Sequence, residues 1–228
     1  MKAYQLVQQH IEEQILEGML TSGALLPPER ELAAALGVSR TAVREALRTL
    51  EAQGLVTSNV GAGPESGTRI SAHYSPSVAK TLQLHVALAH FPIDDVVETR
   101  IILEKESVRL ACEKADEADL SEIRHMLTQM DEPDLSLERF NQLDAAFHVR
   151  IAEVSGNSLS AVLTSSVRYA LSLPIKKASE QIPEYSQLRS SLIQQHHGIF
   201  DAIAAKNTAL AVELVENHIR TAYAILPM

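Results

Sequence analysis

"LPPERELAAALGVSRTAVREALRTLEAQGLV" spans Leu26–Val56 and decides how the N-terminal part of this chain is read. Glu29–Leu36 has the apolar spacing of a short helix, with Pro28 in its first turn, where a missing N–H costs nothing. Gly37 suits the left-handed residue that closes a helix. Ser39 then reads as an N-cap, opening a helix over Arg40–Gln53 that stops at Gly54. Val43, Leu47 and Leu50 share its apolar face. Arg40, Arg44 and Arg48 recur every four residues, and neighbours at that spacing lie only about 40° apart around a helix. They form one slanted ridge.

Working outward, Tyr4 to Glu17 is a preceding amphipathic helix that ends at Gly18. "TSGALLPPER" between the two is a loop with turn chemistry at Ser22-Gly23. Downstream, "LVTS" and "TRIS" are short β-prone runs around "NVGAGPESG", a glycine-rich tip. Three helices followed by a hairpin is the winged helix-turn-helix arrangement. "AHYSPS" breaks the pattern, so we expect a DNA-binding domain over residues 1–74. A second domain over 77–228 is expected to be an all-helical bundle. Its helices fall near 77–89, 94–115, 119–130, 135–155, 158–172, 184–205 and 207–225, with Pro174 among the interruptions. The fold class expected is mainly α.

Composition fits. Hydrophobic residues make up 46% of 228, aromatics only 4%, and there is no Trp. Aliphatic side chains must therefore fill the core, as in helix-on-helix packing. A net charge of −9 excludes a uniformly basic coat for nucleic acid but not a local patch. Cys112 is the only cysteine, which rules out an intrachain disulfide and fits a cytoplasmic setting. The N-terminus lacks the apolar core of a signal peptide, and no run is long enough to cross a membrane.

Residues 1–72 hold six basic and eight acidic side chains, so charge balance alone does not point to DNA. Position does. Arg40 and Thr41 fall in the first turn of the third helix, where a recognition helix meets base edges. A solvated face pairing Arg44 and Arg48 with Glu45 and Glu51 is the plainer alternative. The whole segment resembles the N-terminal signature of the GntR family of bacterial transcription regulators. The resemblance implies that Arg30 of "PPER", and Arg40 and Arg44 of "SRTAVREAL", contact operator DNA with Thr41 beside them. It also implies wing glycines near the minor groove, here among Gly61, Gly63 and Gly67.

A second constellation lies in the bundle. "FNQLDAAFHVRIAEVSGN" places Asp144 and His148 at i and i+4 on one helix face, and "QQHHGIFDAI" and "VENHIRTAY" add His196, His197 and His218. Apolar neighbours such as Phe147, Ile151, Ile199 and Val215 turn these groups inward, and buried polar groups need a partner. "ETRIILEKESVRLAC", "LDAAFHVRIAEVSGN", "QHHGIFDAIAAKN" and "AVELVENHI" resemble the FCD effector domain of the FadR-like branch of that family. The resemblance implies a divalent metal held by Asp144, His148, His196 and His218, with His196 chosen over its neighbour by its place before "DAI". It also implies a small carboxylate effector at the open positions. Three imidazoles and a carboxylate suit Zn²⁺ first, with Ni²⁺ or Mn²⁺ as alternatives. Arg100 either counters the effector carboxylate or simply pairs with Glu104 one turn on. Gln195 stands where the family usually has a glutamate.

No Ser/His/Asp or Cys/His arrangement and no HExxH motif accompany these groups, so an enzyme is not expected, a metal-dependent hydrolase being the least favoured alternative. The expected function is a homodimeric repressor on a short palindromic operator, released by a small carboxylate. The extended wing and the "MDEPDLSLERFNQLDAAFHV" region look most like regulators of L-lactate utilisation. A metal-sensing regulator is the alternative.

Overall fold

In the computed structural model, residues 1–59, 66–183 and 185–225 are described. The chain folds as two compact units, Met1–Val78 and Ala79–Met228.

The first unit holds α1 (Ala3–Leu16), α2 (Glu29–Leu36), α3 (Arg40–Gln53), β1 (Val56–Asn59) and β2 (Gly67–Ile70). Ser39 caps α3 by accepting from the Ala42 N–H at 3.1 Å. Pro28 sits one position earlier than expected, as the extended residue before α2, its φ of −53° being compatible with either place. Gly37 closes α2 in the left-handed region at φ 65°. Val7, Ile11, Val43, Leu47 and Leu50 interlock as the core. β1 and β2 pair antiparallel from Val56↔Ile70 to Asn59↔Gly67. The "TSGALLPPER" stretch is more than a loop. The Leu26 N–H donates to the Thr68 carbonyl and the Ile70 N–H to that of Ala24, both at 2.8 Å, so the stretch lies along β2 as a third edge. Its sequence hides this because prolines and a turn frame the pairing residues. Gly54 ends α3 at φ 78°, and an added Cβ would lie 1.8 Å from the Ser75 Cβ. No other residue fits there.

The second unit contains α5 (Ile93–Lys114), α6 (Glu117–Met130), α7 (Leu137–Val154), α8 (Ser158–Ser179), α9 (Tyr185–Ala204) and α10 (Thr208–Ile225), preceded by α4 (Ser77–Ala87). Phe140, Phe147, Ile151, Ile199, Ile203 and Ile219 centre its core. α8 corrects the expected 158–172, because it runs through Pro174 to Ser179. A proline inside a helix removes one backbone bond and costs about 3 kcal/mol. Burial on both sides of the proline, at Val167, Ala170 and Leu171 and again at Ala178 and Ser179, outweighs that cost. The bundle is otherwise all-helical among the described residues. None of its helices is long and apolar enough to cross a membrane.

Candidate functional site

On the first unit, α3 buries Ala42, Val43, Ala46, Leu47 and Leu50 and exposes Arg40, Thr41, Arg44 and Arg48. Arg30 is exposed on the first turn of α2. The pairing of Arg44 and Arg48 with Glu45 and Glu51 is absent among the described residues. Glu51 instead accepts from the Ser58 N–H at 3.1 Å, tying α3 to β1. Arg44 reaches across to α2, where its Nε donates to both carboxylate oxygens of Glu29, at 2.8 and 3.1 Å. Arg30, Arg40 and Arg48 form no ion pair among the described residues. Gly61 and Gly63 lie outside the described residues.

In the second unit four side chains from three helices converge. α7 supplies Asp144 and His148, α9 supplies His196, and α10 supplies His218. One ligand atom from each lies within 4.8 Å of all the others. Asp144 Oδ1 is 3.0 Å from His196 Nε2, 3.8 Å from His148 Nε2 and 4.0 Å from His218 Nε2. Donors about 2.0–2.2 Å from one ion fall in this range of mutual separations. The three imidazoles are buried, with 2% exposure or less. His197 belongs elsewhere, pairing with Asp131 at 3.0 Å on the surface.

The outer nitrogens set the tautomers. His148 Nδ1 lies 2.6 Å from Glu104 Oε2, so Nδ1 carries the proton and Nε2 a lone pair. His218 Nδ1 donates to Gln195 Oε1 at 2.8 Å, with the same consequence. Two lone pairs and the Asp144 Oδ1 thus face one point. Burial lowers the His148 pKa to about 4 despite the pull of Glu104. Burial, then the neighbouring His196 and His148, drive His218 well down. These rings resist protonation, which leaves their inward nitrogens as lone-pair donors. His196 Nδ1 is buried with no hydrogen-bond partner. This donor set fits a divalent metal ion.

Around the cluster lie two buried arginines. Arg100 Nε donates to Glu104 Oε1 at 2.7 Å and its Nη1 to the Tyr223 hydroxyl at 3.3 Å, while its Nη2 has no partner. Arg168 bonds Glu104 Oε1 at 3.1 Å and also Asp144 Oδ2, leaving its Nε without a partner. Burial alone would raise the Glu104 carboxyl, but Arg100, His148 and Arg168 outweigh it and hold it well below the usual range. Asp144 is held low against burial mainly by Arg168. A small cavity of about 30 Å³ touches Arg100, Asn141, Asp144, His218 and Tyr223. A wider cleft of about 640 Å³ also reaches Arg100 and Asp144 and passes Arg168 and Lys176.

Sequence reading missed Arg168 altogether, named Glu104 only as a partner for Arg100, and saw Gln195 only as a departure. The available signal for Arg168 was a lone charge in "TSSVRYALS", a stretch otherwise small or apolar.

Residues 3–65 match the family described as bacterial regulatory proteins, gntR family, and residues 95–221 match the FCD domain. The chain belongs to the GntR family of bacterial regulatory proteins. As a GntR protein with an FCD domain it is a DNA-binding transcription regulator and not an enzyme. It is 32% identical to the HTH-type transcriptional regulator LutR of Bacillus subtilis, over 90% of this chain and 92% of that one. It is 29% identical to a putative L-lactate dehydrogenase operon regulatory protein of Escherichia coli K12, over 83% of this chain and 72% of the other. Among solved structures, Streptococcus agalactiae GntR superposes with a TM-score of 0.64 at 23% identity, covering 97% of this chain and 99% of that one, a likeness of fold.

Proposed function

We propose that this regulator is a cytoplasmic homodimeric repressor whose hold on a short palindromic operator is released by a small carboxylate, L-lactate first among candidates. Residues 1–74 would form the DNA-binding head, with Arg30, Arg40, Thr41 and Arg44 on the operator and Gly61 and Gly63 in the wing. Residues 77–228 would bind effector and dimerise.

One observation carries the effector reading. Lone-pair atoms of Asp144, His148 and His218 converge beside two buried guanidiniums that still hold unspent N–H groups. Asp144, His148, His196 and His218 would hold the ion, Zn²⁺ before Ni²⁺ or Mn²⁺, and the ion would supply an electrophilic anchor for the effector. Arg100 Nη2 is the donor free for a carboxylate, since the ion pair with Glu104 uses Nε. The two sequence-level readings of Arg100 are therefore compatible. The inner cavity of about 30 Å³ lies between Arg100, Asp144 and His218, where the carboxylate of an effector would meet the guanidinium. Phe140, Ile175 and Leu192 line it and would suit a methyl group. The similarity to a protein named for an L-lactate dehydrogenase operon supports the same choice. Release from DNA requires the effector to bind one arrangement of the dimer more tightly than the other.

Metal analysis and calorimetry test this reading. Purified protein should carry one divalent ion per chain and bind L-lactate. Chelator treatment and His196→Ala should each abolish lactate binding. Lactate binding that survives removal of the metal would contradict the proposal.

A further inference from the structure

The pairing of Arg44 with Glu29 has no part in the core of the first unit. Arg44 keeps 56% of its side chain exposed and Glu29 33%, and an ion pair at such exposure adds little to stability. Its geometry is specific nonetheless. Both carboxylate oxygens are engaged by Nε alone, so the two terminal nitrogens, Nη1 and Nη2, stay open as a fork. A guanine presents two acceptors, N7 and O6, that such a fork can meet together. Glu29 is itself well placed to be an anchor, because it opens α2, where the helix dipole favours a carboxylate. Beside Arg44, a shallow groove lined by Thr41, Glu45, Arg48 and Thr49 gives the fork open space.

We propose that Glu29 is a positioning residue for base reading. It fixes the guanidinium of Arg44 end-on toward one base pair, and its negative charge keeps that arginine from settling on any nearby phosphate. Glu29 therefore acts on discrimination between sequences more than on total affinity. This inference rests on the assignment of α3 as the DNA-reading helix.

The test uses the full-length protein. Wild type first selects its preferred duplex from a random-sequence pool. Arg44→Ala, put through the same selection, marks the base pair that Arg44 reads. Affinities for the selected duplex and a scrambled one are then measured at matched salt for wild type, Glu29→Ala, Glu29→Gln, Arg44→Ala and the Glu29→Ala/Arg44→Ala double variant. Glu29→Ala should lower the selected-to-scrambled affinity ratio about tenfold, a typical worth for one arginine–guanine contact. It should also lose preference at the base pair that Arg44 marks, and should bind scrambled DNA at least as tightly as wild type. Glu29→Gln, which keeps an acceptor but no charge, should fall between. In the Arg44→Ala background, removing Glu29 should change the ratio less than about twofold. An unchanged ratio and base preference in Glu29→Ala would overturn the proposal while leaving α3 as the reading helix. An equal effect of Glu29→Ala with and without Arg44 would also overturn it. A wild-type protein that enriches no sequence would remove the DNA-reading assignment and the proposal together.

Discussion

His148 shows how a single buried side chain stores a pH response. In an unfolded chain its imidazole takes a proton near 6.5, whereas in the fold burial lowers that value to about 4. Above pH 6.5 neither state holds the proton and the full stability is present. As pH falls from 6.5 toward 4, the unfolded chain gains the proton first and stability drains away. For metal-stripped protein the loss from this residue should reach about 3 kcal/mol. His218, also held low, adds in the same direction, and Glu104 and Asp144 extend the loss through the carboxylate range. Urea unfolding of the stripped protein across pH 4–7 checks this, and a midpoint that stays flat through that window would refute the assigned environment. At this scale the four clustered side chains were legible in sequence, because Asp144 and His148 share one helix face and His196 and His218 punctuate apolar helices. Glu104 and Arg168 were not, since their importance comes from α5, α8 and α7 meeting in space. A charge on an amphipathic helix carries no label saying that tertiary packing will bury it to 2% or 5% exposure.

Among the elements, α3 illustrates full local agreement between pattern and structure. Its cap at Ser39, its apolar stripe and its stop at Gly54 all lie within the segment, so the sequence bounds it at Arg40–Gln53 without help from elsewhere. α8 illustrates the opposite. Pro174 is a local stop signal, and only packing on both sides of it carries the helix on to Ser179. Substituting Pro174→Ala should restore one backbone hydrogen bond and raise the unfolding free energy by about 2 kcal/mol, part of the intrinsic difference being offset by the more flexible unfolded chain. Chemical denaturation measures this. A destabilised variant would mean that the helix needs the bend a proline imposes. The edge formed by Ala24 and Leu26 along β2 was likewise invisible locally, because strand pairing depends on what lies opposite.

For the whole molecule, charge is divided by function. Residues 1–72 are near balance, with six basic and eight acidic side chains, and most of the net charge of −9 falls on the remainder. An acidic body weakens indiscriminate attraction to DNA, and on the proposed reading affinity then depends on a few arginines and on salt. Two heads in a homodimer would meet half-sites about one helical turn apart or less, which is why a short palindrome is expected. The central claim joins the proposed DNA-reading surface to the Asp/His cluster in the bundle that could hold a metal ion. Its most direct test is fluorescence anisotropy on the intergenic DNA upstream of the protein's own gene, with L-lactate titrated into metal-loaded protein. The account predicts tight binding that is lost at millimolar lactate in wild type and persists in Arg100→Ala. Tight binding that ignores lactate and follows metal loading alone would contradict it and make the ion the signal.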